Sequence, residues 1–162
     1  MNRWHQMSEE DKRIAYNQIA VNTGLPAYAI EKDWWVVQTL AIIFDLKIGQ
    51  NLVFKGGTSL SKAWNLIERF SEDIDLAIDR SFFGFEGALE KKQRTKLRKA
   101  SKSFISGDLF NEIQGEFDKC GLVGVEFSKQ ESSESDLDPV SIFVKYPQII
   151  KSPGYIEPRV KI

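Results

Sequence analysis

The chain has 162 residues, 42% of them hydrophobic, with 22 Lys and Arg against 23 Asp and Glu and a formal net charge of −1. That content supports one well-buried core with a small appendage, and the near-neutral charge argues against a protein that coats nucleic acid non-specifically, while leaving room for a local basic patch. The lone Cys120 excludes an intrachain disulfide and fits a reducing cytoplasm, the lone His5 argues against a His/Cys zinc site, and neither a signal peptide nor a membrane span is expected.

Ser8 followed by Glu9, Glu10 and Asp11 predicts a helix start, with Ile14, Ala15 and Ile19 as its buried stripe and Thr23-Gly24 as its stop. Leu25-Pro26 opens a second helix, on which Ile30, Trp34, Val37, Ala41 and Phe44 share a face that predicts core packing. Glu31, Lys32 and Asp33 read as a solvated or bracing face and are assigned no chemistry. These helices form an expected N-terminal segment, residues 1–48, packed on a core at 49–162.

The informative stretch runs from Phe54 to Ile78, FKGGTSLSKAWNLIERFSEDIDLAI, and predicts strand, glycine turn, helix, connector and strand. Gly56-Gly57 permit a tight turn, Thr58 or Ser59 can cap the helix, and Leu60, Ala63, Trp64 and Ile67 form one apolar stripe. The pattern then switches to period two: Ile74, Leu76 and Ile78 point one way, Asp73, Asp75 and Ala77 the other. Bare amides at a glycine turn form an anion site, to which the hydroxyls of Thr58 and Ser59 add donors. Carboxylates two apart on a strand lie on one face with Cα atoms roughly 6.5–7 Å apart, and can share one Mg²⁺ or a close pair. Either piece alone is as consistent with an ordinary turn or a wet strand face; their conjunction points to a nucleoside triphosphate site.

Beyond this stretch, SFFGFEG (residues 81–87) is an aromatic connector that suits a lid, a base-pocket wall or ordinary packing. Lys91, Lys92, Arg94, Lys96, Arg98, Lys99 and Lys102 wrap a helix that reads either as a solvated surface or as a landing strip for phosphates. Phe104, Ile105, Leu109, Phe110, Ile113 and Phe117 then supply core contacts. Leu122, Val123, Val125 and Phe127 predict a third strand, residues 129–138 an acidic loop, Val140 to Tyr146 a fourth strand, and Tyr155 to Ile162 a fifth. The fold class expected is α+β, a mixed sheet flanked by helices with an N-terminal helical pair.

GGTSL followed by ERFSEDIDL resembles the signature of the AbiEii/AbiGii-type toxin nucleotidyltransferases, a branch of the DNA polymerase β-like nucleotidyltransferase superfamily. Fifteen residues separate Gly57 from Asp73, in keeping with that branch. IEKDWWV resembles the family's upstream segment, and PRVKI the strand that leads to its third acidic residue. The resemblance implies attack by an acceptor hydroxyl on the α-phosphorus of an NTP. Asp73 and Asp75 would hold Mg²⁺ or Mn²⁺, Gly56, Gly57, Thr58 and Ser59 would cradle the β- and γ-phosphates, Arg69 and Lys62 would offset charge, and Ser71 would brace the strand entrance or touch phosphate. It also implies tRNA or another RNA as acceptor and a winged-helix antitoxin as partner. The third carboxylate is expected immediately beyond Ile162, so the resemblance implies a truncated chain with poor turnover; Glu126 and Glu157 are stand-ins that do not match the motif position. Binding without turnover and a kinase-like phosphotransfer are the competing readings.

Overall fold

The structure, a computed structural model, describes residues 3–66, 72–131, 140–154 and 156–162. Helix α1 spans Glu9–Thr23; the Ser8 hydroxyl accepts the Asp11 N–H at its start, and Gly24, at φ 74°, closes it in the left-handed conformation. Its predicted stripe is not a core face. Ile14 and Ile19 are exposed, and Tyr16 is the buried residue, edge-on to Trp4.

Helix α2, Ala27–Asp45, follows Pro26, whose ring presets the entry. Here the predicted phase is wrong. Val37, Ala41 and Phe44 are exposed, whereas Ala29, Glu31, Lys32, Trp35, Val36, Thr39, Ile42 and Ile43 are buried. The helix is apolar nearly all round, so periodicity alone could not orient it. Trp35 stacks on Tyr146 with ring centroids 5.1 Å apart, joining α2 to the C-terminal sheet.

A short 3₁₀ turn, Lys47–Asn51, leads into β1, Leu52–Lys55, and directly into α3, Gly56–Lys62. The N-cap of α3 is Lys55, so Thr58 and Ser59 lie inside the helix rather than capping it. The helix stops at Lys62, and Leu60 and Trp64 are exposed, which overturns the predicted stripe; Ile67 lies outside the described residues. Strand β2, Asp75–Ile78, pairs antiparallel with β1, placing Lys55 opposite Asp75 and Leu52 opposite Ile78.

Helix α4, Lys91–Phe104, opens with a reciprocal capping box between Glu90 and Gln93. A π-helical turn, Ile105–Leu109, joins it to α5, Phe110–Lys119. The wider turn shifts the helical phase, so that α4 has no buried residue while Leu109, Ile113 and Phe117 enter the core.

Strand β3 is Glu126–Glu131, later and more polar than predicted: Leu122 is buried without being in a strand and Val123 is exposed. It pairs with β4, Val140–Lys145, which pairs with β5, Arg159–Lys161, both antiparallel. The two antiparallel sheets meet at one parallel bridge, Asp73 to Lys161, where the Ile74 N–H donates to the Lys161 carbonyl at 2.8 Å. Among the described residues the α+β fold thus carries two small antiparallel sheets in place of the one mixed sheet expected, and this junction sets Asp73 beside the C-terminal strand. Ile74, Ile142, Val144 and Val160 pack behind it against Val36, Ile43, Ile113 and Phe117 of the helices.

Candidate active site

Strand parity sends Ile74 into the core at 2% exposure and leaves its neighbours Asp73 and Asp75 exposed on the opposite face. The glycine turn is fitted to this pair. Gly56 adopts φ +71°, and a Cβ built there would lie 2.0 Å from Asp75 Oδ2 and 2.8 Å from its Cγ. Only glycine satisfies both the left-handed backbone and the space that the Asp75 carboxylate occupies. The first turn of α3 and the acidic strand are therefore held in direct apposition.

Thr58, predicted as a phosphate contact, is fully buried, and its hydroxyl donates to the Asp73 backbone carbonyl. Ser59 is also buried. Neither side chain is open to solvent, and the Thr58 hydroxyl ties the α3 turn to the strand carrying Asp73. Lys62, predicted to offset phosphate charge, is paired with Asp33 of α2. Arg69 and Ser71 lie outside the described residues.

In front of Asp73 and Asp75 lies a cleft of about 490 Å³. Strand β2 forms one side, Leu97, Arg98 and Ser101 of α4 another, and Phe83 and Lys161 complete the rim. The Lys161 ammonium is 3.9 Å from Asp73 Oδ2. Lys55, Arg98 and Lys161 thus set three cations around two carboxylates, a balance suited to a polyanion bound together with a divalent cation. Phe83 is fixed in a cluster with Phe82 and Phe104, whose centroids lie 5.0 to 5.9 Å apart. The turn carrying it begins at Asp79, which accepts hydrogen bonds from the Ser81 hydroxyl and N–H; these hold the Asp79 carboxyl below its ordinary range.

Among the described residues no three His, Cys, Asp or Glu side chains converge as a metal site. The two exposed carboxylates are hard oxygen donors, the number with which Mg²⁺ is commonly held when substrate phosphates complete its shell. Glu126 and Glu157 do not join them: Glu126 pairs with Lys145 at 2.8 Å and Glu157 with Arg159 at 2.6 Å, and neither lines the cleft. Phe83 belongs to the aromatic connector that suits a base-pocket wall and Arg98 to the cationic helix, whereas Lys55, Ser101 and Lys161 carry no sequence signal of a site. Arg98 is one of seven similar cations on α4, and periodicity could not choose it.

A family model described as nucleotidyl transferase AbiEii toxin, type IV TA system, matches residues 39–162. No curated protein and no solved structure gives a match.

Proposed function

The chain belongs to the AbiEii nucleotidyl transferase toxin family of type IV toxin–antitoxin systems, and from that premise we propose that the Asp73–Asp75 cleft transfers NMP from an NTP to a hydroxyl on RNA. The family implies an NTP substrate and an antitoxin partner; tRNA as acceptor, a winged-helix form for the antitoxin and a cytoplasmic location are part of the proposal. Among the described residues no helix is long and apolar enough to cross a membrane.

The observation that supports this reading is the fit of Gly56 to Asp75, which would bring the amides of a glycine turn beside a carboxylate able to ligate a metal. In the proposed reaction the acceptor oxygen bonds to the α-phosphorus as the bond to the bridging oxygen of pyrophosphate breaks, and the hydroxyl proton is lost to water. Asp73 and Asp75 would hold Mg²⁺ or Mn²⁺. Such ions, when bound, supply Lewis-acid stabilisation of phosphoryl charge. The Gly56 and Gly57 amides would orient the β- and γ-phosphates, with Thr58 and Ser59 supporting the turn from within. Lys161 would meet phosphate from the cleft rim, Arg69 and Ser71 would do so as the family resemblance implies, and Lys62 would act by tying α3 to Asp33 of α2. The cations of α4, which run up to the cleft at Arg98, favour a polyanionic acceptor.

A second reading, nucleotide binding without turnover, draws on the absence of a third carboxylate beside Asp73 and Asp75 among the described residues. Incubation with α-³²P- or γ-³²P-labelled NTPs and total RNA separates these readings. Label retained in RNA from the α position alone is the expected result. Label from γ alone would mean a kinase, and Mg²⁺-dependent binding with no label in RNA would mean a module without turnover.

A further inference from the structure

Residues 31, 32 and 33 are consecutive on α2, so their side chains leave the helix about 100° apart and reach three different segments. Both Glu31 carboxylate oxygens accept backbone N–H groups, from Ile149 at 2.8 Å and Ile150 at 2.9 Å. Lys32 pairs with the Glu72 carboxylate and donates to the Glu157 carbonyl at 3.3 Å. Asp33 holds Lys62, at the last turn of α3. The Lys32 contacts stand apart from the others in location. Glu72 immediately precedes Asp73, and Glu157 lies two residues before β5, the strand that bridges to Asp73 through Lys161.

We infer that Lys32 is a positioning residue for the acidic pair, fixing through Glu72 and Glu157 the two chain segments that meet at the Asp73–Lys161 bridge. The Lys32 side chain is 6% exposed and that of Glu72 41%, so the ammonium is taken out of water at a cost that one half-exposed partner offsets only in part. For stability alone an apolar side chain of similar length would serve as well. What an apolar side chain cannot supply is a fixed direction for the Glu72 carboxylate and the Glu157 carbonyl. Asp33, through Lys62, and Thr58, through the Asp73 carbonyl, close the same frame from the α3 side. The frame gives a reason for α2 to bury Lys32, which does not itself line the cleft.

The inference rests on Asp73 and Asp75 being metal ligands, and its test separates the two claims. Fluorescent derivatives of ATP, CTP, GTP and UTP are bound at increasing Mn²⁺, and the half-saturating Mn²⁺ concentration is compared among variants alongside the melting temperature. Lys32→Met and Glu72→Gln are each expected to raise that concentration about tenfold, with Lys32→Arg returning it to within about twofold of the original, as for other outer partners of metal ligands. Glu31→Gln, on the same turn of α2 but fastened away from the acids, is expected to lower the melting temperature and leave the Mn²⁺ requirement unchanged. Should Lys32→Met fail to fold, Glu72→Gln decides the matter, since its side chain is part-exposed. If Asp75→Asn abolishes Mn²⁺-dependent binding while folded Lys32 and Glu72 variants match the original protein, the positioning role is overturned and the site stands. If Asp75→Asn itself has no effect, the reading of the site fails and the inference with it.

Discussion

The segments at 31–33 and at 72–75 are built from the same kinds of residue and put them to opposite use. On α2, Glu31 and Lys32 are 1% and 5% exposed, and each has its charge met by backbone or side-chain partners. At the edge of β2, Asp73 and Asp75 face solvent across a cleft, with a glycine turn shaped around one of them. A charge inside a protein must be bonded or it is too costly to keep, so the buried group is saturated and has nothing left to offer a ligand. The exposed pair keeps its lone pairs available. Charge and sequence spacing do not distinguish these roles; burial and saturation do.

The largest expected effect on stability lies on the saturated side. Glu31→Ala orphans the Ile149 and Ile150 N–H groups, at about 1–3 kcal/mol each, and denaturant unfolding should show a loss of about 2–6 kcal/mol. The same variant should retain Mg²⁺-dependent NTP binding, and losing both together would erase the comparison. Next is Gly56→Ala, which joins the two regimes. Left-handed backbone costs a non-glycine residue about 1–2 kcal/mol, and the new Cβ must displace the Asp75 carboxylate. NTP binding should fall more than stability does; an unaffected affinity would place the phosphate cradle elsewhere.

A finer test uses pH. Burial, opposed by the two backbone N–H bonds, raises the Glu31 pKa above its ordinary 4.5. With the folded value above the unfolded one, the folded state binds more protons in the interval between them. The Glu31 contribution is therefore complete below the unfolded value and is lost as pH rises through the folded one. Melting curves from pH 4 upward (roughly the unfolded glutamate range) should show the difference between the original protein and Glu31→Gln shrinking as pH rises. A difference that grows would reverse the sign. The smallest effect is expected at Trp64, 67% exposed beyond the end of α3: Trp64→Ala should alter stability by no more than about 0.5 kcal/mol.

The contrast also explains what was legible in the sequence. The site's two halves were readable because each rests on a short-range rule: strand alternation puts Ile74 inside and Asp73 and Asp75 outside, and a double glycine marks a turn. Helix phase was not readable on α2. Apolar residues surround that helix, and the charges that would ordinarily mark its wet face, Glu31 and Lys32, mark its buried one because their partners lie far along the chain, at Glu72, Ile149, Ile150 and Glu157. Strand β3 was misplaced for a related reason: its residues are polar and mostly exposed, and pairing with β4 rather than burial makes it a strand. The cleft's far wall, with Arg98 and Ser101, depends on how α4 docks, and no local pattern in a cationic helix records that.

The central claim is that the exposed acids perform the chemistry while the buried, saturated Glu31 serves the fold. Its most direct measurement is a paired one, melting temperature and α-³²P transfer from NTP to RNA, on Asp75→Asn and Glu31→Gln. Asp75→Asn, on a solvated face, should keep stability within about 1 kcal/mol and lose transfer. Glu31→Gln should melt at a lower temperature and, below that temperature, transfer as before. If transfer survives Asp75→Asn, or if stability and transfer fall together in both variants, the division of roles between the two segments is wrong.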